Sequence, residues 1–204
     1  MKEALPLNES VLVFLHIKKT GGISLQKLIQ EQYPDRFYGN DHSALKKKIK
    51  IKKSDIEKIP NGSAVANHWI YDDFKSIKDR CNFVTIIRDP VDRIVSAYNF
   101  YLQHHPRGMS FSDYVKKREN RNTETRAILE ISLMTEFYLF EKLPNEIHRS
   151  NIILSQDKIQ HTNKTRYNCK PTRSEIKVFR DINDEDIKLY DGAIKMAGVF
   201  NECI

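Results

Sequence analysis

The sequence predicts an α/β fold: a single domain over residues 1–204, with a central, mainly parallel sheet flanked by helices. Three observations carry this. Two strongly apolar, β-branched runs, VLVFLHI (Val11–Ile17) and FVTII (Phe83–Ile87), have the continuous character of strands buried on both faces. Each run passes through a short polar loop into apolar residues at helical spacing, the pattern of strand–helix units. A chain of 204 residues, 40% of them hydrophobic, supports one sizeable core, and no linker or repeat divides it.

Taken in order, Val11–Ile17 is a buried strand, and Leu25, Leu28 and Ile29 then share one face of a helix. Tyr33–Lys53 reads as irregular and basic. Ser54–Ile59 reads as a short capped helix stopped by Pro60, and Asn61-Gly62 as a turn. Ser63–Asn67 is a short strand that delivers His68 at its C-terminal end. Phe83–Ile87 leads through Arg88-Asp89-Pro90 into a long amphipathic helix, Val91 to about His104, broken by HHPRG. Further helices are expected from about Ser110, from about Thr123 to Lys142, and from about Asp184 to Ala197. A strand is expected at Ile152–Leu154 and a polar loop at Gln156–Thr172.

The formal net charge of +7 favours an anionic ligand or partner. Much of the excess lies in KKKIKIKK (Lys46–Lys53), although such runs are most often solvated faces. A basic nucleic-acid-binding protein is therefore one alternative, but the chain has neither an aromatic–glycine RNA-binding signature nor zinc-finger spacing. Cys81, Cys169 and Cys203 are widely spaced and odd in number, which argues against a disulfide framework and a zinc site, and no metal is expected. No apolar run reaches membrane-spanning length. The opening MKEALPLNES places an acid and a proline where a signal peptide needs unbroken apolar residues, so a cytoplasmic protein is expected.

The first strand–helix junction, Lys18-Lys19-Thr20-Gly21-Gly22-Ile23-Ser24, reads as an anion loop. Helix N-termini present unpaired N–H groups and partial positive charge, glycines admit a ligand close to the backbone, and lysine adds a full charge. It is not a nucleoside-triphosphate loop of the G-x-x-x-x-G-K-[ST] kind, because Lys19 precedes both glycines. At the second junction, Arg88 and Ser96 suit a terminal phosphate, guanidinium binding two oxygens and hydroxyl a third. A capped helix with an Arg–Asp surface pair is the equal alternative on those residues alone.

Together the two segments resemble the PAPS-dependent sulfotransferases, most closely the heparan sulfate 2-O- and 6-O-sulfotransferase group and its small bacterial relatives. That group carries H-I-P-K-T-G-G-T-S, matched by His16 to Ser24, and R-D-P-V-x-R-x-x-S-x-Y, matched by Arg88 to Tyr98. The resemblance runs from about Val11 to Tyr101 and returns more weakly at His161–Thr165 and Ile182–Ala193. It implies a P-loop-like sulfotransferase fold, PAPS as sulfate donor and a hydroxyl acceptor, a carbohydrate or glycan. The backbone from Gly21 to Ser24 and the Lys19 ammonium would hold the 5′-phosphosulfate, Arg88 and Ser96 the 3′-phosphate, and Asn163, Lys164 and Thr165 a loop over the nucleotide.

The same resemblance implies that His68, in VANHWIYDDF, is the catalytic base beside Lys19. Apart from the resemblance, the nearby Asp72 or Asp73 is a candidate to orient its ring. His16 is expected to be a buried structural histidine, and His42, His104, His105 and Arg107 either border the acceptor cleft or are ordinary surface residues. The sequence departs from the group twice: Lys18 replaces a proline, and Ile23 replaces a threonine and so withdraws one hydroxyl donor. A catalytically silent nucleotide- or glycan-binding relative is the second alternative.

Overall fold

The structure is a computed structural model that describes residues 1–39, 49–143, 147–153 and 169–202. Five strands, β1 (Val11–Leu15), β2 (Phe37–Tyr38), β3 (Ser63–Asn67), β4 (Cys81–Ile87) and β5 (Glu136–Leu139), form one parallel sheet in the order β2-β3-β1-β4-β5. The helices are α1 (Gly22–Gln32), α2 (Pro90–His104), α3 (Phe111–Lys116), α4 (Thr123–Ile128), α5 (Arg173–Ile182) and α6 (Asp184–Glu202), with short 3₁₀ turns between some of them. The α/β class with a parallel sheet flanked by helices is thus as expected from the sequence.

Alternation along β1 explains why both of its faces are apolar. Val11, Val13 and Leu15 join a cluster with Ile56, Phe74, Ile128 and Met134, whereas Leu12 and Phe14 pack with Leu25, Leu28 and Ile29 of α1. Each large side chain so buried contributes about 1.5–3 kcal/mol. A third cluster, built on Ile94, Tyr98, Phe111, Val115 and Phe179, joins α2 to α3 and α5.

Register fixes where the loops emerge. Leu15 of β1 lies opposite Asn67 of β3 and opposite Thr85 of β4. Because the three strands are parallel, the segments after Leu15, Asn67 and Ile87 leave the same edge of the sheet. The chain turns from β1 toward the β2–β3 side and from β4 toward β5, so the β1/β4 boundary is a topological switch point, the usual ligand crevice of open parallel sheets.

Several expectations are corrected. The helix expected from Thr123 to Lys142 is only α4: Leu129 adopts φ 62°, and Glu136–Leu139 pairs with Val84–Ile87 as β5. The aromatic, β-prone Phe137-Tyr138 finds a neighbour strand there, and tertiary pairing overrides helix propensity. Phe37–Tyr38, read as irregular, is the edge strand β2. Lys53–Lys58 is a 3₁₀ helix, where an ordinary short helix was expected. Ile152 and Ile153 are buried against the α1 face but form no strand; Leu154 and most of the expected loop at Gln156–Thr172 lie outside the described residues. Lys46 to Lys48 also lie outside them, while Lys53 pairs with Asp73 at 2.7 Å.

Candidate active site

The loop after β1 is shaped from within. The Thr20 hydroxyl is fully buried and donates to the Ile17 carbonyl at 2.8 Å, so this side chain serves the turn. Lys19 (φ 69°) and Gly21 (φ 76°) both take left-handed backbone. The two glycines, expected from the sequence to admit a ligand, are also required by crowding within the protein. A Cβ on Gly21 would lie 2.5 Å from the Phe140 ring, and one on Gly22 would collide with His16 and Phe14. Both glycines answer to close packing on the protein side.

Gly21 also begins α1 with no side-chain cap, and the first turn of α1 carries no acidic residue. By contrast α2 is capped by Asp89, whose carboxylate accepts from the Asp92 N–H at 2.9 Å. The α1 N-terminus therefore keeps a positive character suited to an anion. Ile23 is half-buried and offers only backbone there, and Ser24 is buried.

The two lysines part company. Lys18 is exposed on the turn, whereas Lys19 is half-buried, with Nζ 4.4 Å from the centroid of the Phe100 ring. Burial first, and the nearby charge of Arg88 second, hold its ammonium below the usual lysine range. Arg88 arrives from the neighbouring loop, after β4. Its guanidinium donates to the Lys19 carbonyl at 3.1 Å and stacks over Phe140 at 4.5 Å. Each site cation thus rests on an aromatic face, a contact worth about 0.5–2 kcal/mol. Neither Phe100 nor Phe140 was singled out from the sequence. Phe100, four residues beyond Ser96, carried a signal in being a large apolar residue at helical spacing from a candidate ligand.

That same spacing orients Ser96. Residues four apart share a helix face, so Ser96 lies on the side of α2 from which Phe100 meets Lys19, and it is 2% exposed. The Arg88 backbone N–H, in turn, donates to Glu124 Oε1 at 3.2 Å. Glu124 belongs to a buried cluster with Arg93 and Asp186 that sequence reading missed, since its members lie up to 93 residues apart.

His68 follows β3 directly and is exposed at the same sheet edge. Its Nδ1 lies 2.5 Å from the His16 carbonyl oxygen. A carbonyl only accepts, so Nδ1 donates to it, and in the neutral ring the lone pair is then on Nε2, the arrangement a general base needs. The expectation that Asp72 or Asp73 orients the ring is corrected: Asp73 pairs with Lys53 and accepts from Ile70 N–H, and Asp72 pairs with Lys75 at 3.1 Å. The His16 ring lies 4.5 Å from that of His68 and stacks on Phe14 at 5.3 Å; it is 7% exposed, in keeping with a buried histidine. Trp69 turns away to Phe74.

At the end of α2, Tyr101, His104, His105, Pro106, Arg107 and Gly108 line a shallow cleft of about 490 Å³. Phe100 links it to the site, since His104 meets the same ring edge-on at 4.7 Å. Asn163, Lys164, Thr165 and His42 lie outside the described residues. Among those described, no helix is long and apolar enough to cross a membrane.

The arrangement joins an uncapped helix start and two adjoining cations at the β1/β4 switch point, with the His68 imidazole at the neighbouring end of β3, beside His16. It can hold an anion and take a proton beside it. The chain is similar to the solved sulfotransferase from Alicyclobacillus acidocaldarius, at 14% identity over 94% of this chain and 97% of that one, with a TM-score of 0.53. That likeness shows a shared fold. Mouse sulfotransferase SULT7A1 complexed with PAP is similar at 17% identity over 91% of this chain and 68% of that one, with a TM-score of 0.45, too loose a likeness to carry an argument. No curated protein matches the sequence. The profile of the sulfotransferase family, however, matches residues 7–188, nearly the whole chain, and this chain therefore belongs to the sulfotransferase family.

Proposed function

We propose that this sulfotransferase moves the sulfuryl group of PAPS to a hydroxyl of a carbohydrate acceptor, with His68 as base. The carbohydrate acceptor and the nearness to the heparan sulfate 2-O-/6-O- group come from the resemblance of the two loop motifs. The observation that carries the donor reading is the convergence of Lys19 and Arg88 from neighbouring strand ends, Arg88 donating to the Lys19 carbonyl at 3.1 Å. PAPS has two separated anionic ends, and this chain offers two cationic loops.

In this reading the backbone from Gly21 to Ser24 and the Lys19 ammonium hold the 5′-phosphosulfate, with Lys18 adding charge at the rim. Arg88 and Ser96 hold the 3′-phosphate. Asn163, Lys164 and Thr165 keep the closing role that the resemblance implies. His68 Nε2 takes the proton from the attacking hydroxyl as the new oxygen–sulfur bond forms. Lys19 balances the charge that collects on the phosphate oxygen as its bond to sulfur breaks. The repulsion between these two neighbouring cations is relieved when each loop holds one anionic end of the donor.

Calorimetry with PAP, followed by transfer of labelled sulfate from PAPS across an acceptor panel, tests the function. PAP is expected to bind, and Arg88→Ala to weaken PAP by about 1.5–3 kcal/mol more than adenosine 5′-phosphosulfate, which lacks the 3′-phosphate. Equal losses would remove the Arg88 assignment. Binding without transfer to any acceptor would favour the silent relative, a reading to which the half-buried Ile23 in place of a hydroxyl donor lends some support.

A further inference from the structure

Beneath the donor site lies a buried ionic cluster that the reaction itself does not use. Arg93 of α2 has a side chain 3% exposed, set between two carboxylates that are 0% exposed. Its Nε is 3.6 Å from Glu124 Oε1 of α4, and its terminal nitrogen is 3.3 Å from Asp186 Oδ2 of α6. Asp186 also accepts from the N–H groups of Glu124 at 3.3 Å and Thr125 at 2.9 Å, pinning the start of α4 to α6. Asn122 adds to this junction by donating its N–H to Asn183 Oδ1 at 2.7 Å.

Charge arithmetic separates the two carboxylates. Asp186 already balances Arg93, and a second buried anion would be in excess. Burial, working against Arg93 and with the Asp186 charge, raises the Glu124 carboxyl from 4.5 to about 8, so it is largely neutral near pH 7. Its Oε2 is buried and makes no hydrogen bond among the described residues, which also disfavours the charged form. Glu124 is thus not explained as the counter-ion of Arg93. What it does hold is the backbone N–H of Arg88, through Oε1 at 3.2 Å.

We propose that Glu124 is a positioning residue of the donor site: it grips the Arg88 backbone, and so aims the guanidinium at the 3′-phosphate, while Arg93 and Asp186 lock Glu124 in place. This rests on the assignment of Arg88 made above. The oxygen of Glu124 acts as a hydrogen-bond acceptor, with no need of its charge. Glutamine should replace it and leucine, of similar volume, should not.

The test compares Glu124→Gln, Glu124→Leu and Arg88→Ala with the parent protein, reading the preference for PAP over adenosine 5′-phosphosulfate and the melting temperature. Glu124→Gln should keep the full preference. Glu124→Leu should lose roughly tenfold of it, the usual cost of one buried hydrogen bond, with little change for adenosine 5′-phosphosulfate. A folded leucine variant with the parent preference, or a glutamine variant without it, overturns the inference. If Arg88→Ala itself keeps the preference, the fault lies in the assignment of Arg88. Hydrogen exchange at the Arg88 amide reads the grip without any donor. It should be faster in Glu124→Leu and parent-like in Glu124→Gln, and equal exchange in all three overturns the inference. Should the leucine variant not fold, the glutamine variant alone still decides, because exposure of the Arg88 amide or loss of preference in it contradicts an acceptor role.

Discussion

Arg88 donates a guanidinium N–H to the backbone carbonyl of Lys19 at 3.1 Å, tying the loop after β4 to the loop after β1. The two residues are 69 apart in sequence, yet neighbouring parallel strands bring their loops out together. The bond couples the two loops, so in the proposed reading the two anionic ends of the donor meet one linked unit.

Lys19 is expected to act mainly in the transition state. Lys19→Ala should lower turnover at saturation by a larger factor than it weakens PAP, since charge on the leaving oxygen develops only during transfer. Single-turnover rates beside PAP calorimetry check this. Lost affinity with parent turnover would make Lys19 a binding residue only.

His68→Ala should lose roughly 10²–10⁴-fold in rate, the span for a positioned base, with nearly unchanged PAP affinity. In the parent enzyme, protonation fills the Nε2 lone pair, so the rate should fall on the acid side while PAP still binds. A folded His68→Ala protein that transfers sulfate at the parent rate would sink the assignment. His16, whose ring lies 4.5 Å away, would then be the next candidate.

Gly21 and Gly62 separate backbone strain from crowding. Both have positive φ, 76° and 71°, but a Cβ on Gly62 meets nothing closer than 3.4 Å, against 2.5 Å on Gly21. Gly62→Ala should cost about 1–2 kcal/mol of stability, the left-handed penalty. Gly21→Ala should cost distinctly more and should also weaken PAP, because Phe140 is displaced from under Arg88. Urea denaturation of both variants measures the difference, and equal costs would mean that Phe140 yields freely.

Glu124 sets a pH dependence of stability. Its carboxyl ionises at 4.5 ordinarily and at about 8 when folded, so within that window the folded state keeps a proton that the unfolded chain has lost. The stability tied to that proton is fully present below pH 4.5 and is lost as pH rises toward 8. Glu124→Gln has no such titration. Its melting temperature relative to the parent should therefore climb between about pH 5 and pH 8. Parallel curves for the two proteins would show that Glu124 is ionised throughout.

Local pattern was enough to determine the frame of this protein. The apolar runs at Val11–Ile17 and Phe83–Ile87 read as buried strands and hold the strands Val11–Leu15 and Cys81–Ile87, and the spacing of Leu25, Leu28 and Ile29 marked the helix against them. The placement of Lys19, Arg88 and His68 was legible because Arg88 and His68 directly follow strands and Lys19 lies in the loop after β1, and in a parallel sheet strand ends share one edge. What depended on distant partners was decided only by tertiary structure. Glu136–Leu139 became a strand because β4 offered it an open edge, against a helical reading of its own neighbourhood. The ring of His68 is oriented by a backbone carbonyl, which has no signature in sequence, where nearby carboxylates had been the natural expectation. Phe100 and Phe140 under the cations, and Arg93, Glu124 and Asp186 beneath Arg88, are joined across sequence separations no periodicity encodes. Side-chain spacing along the chain records local geometry alone, whereas the choice of a buried partner is made when the layers pack and every desolvated charge must find its neighbour.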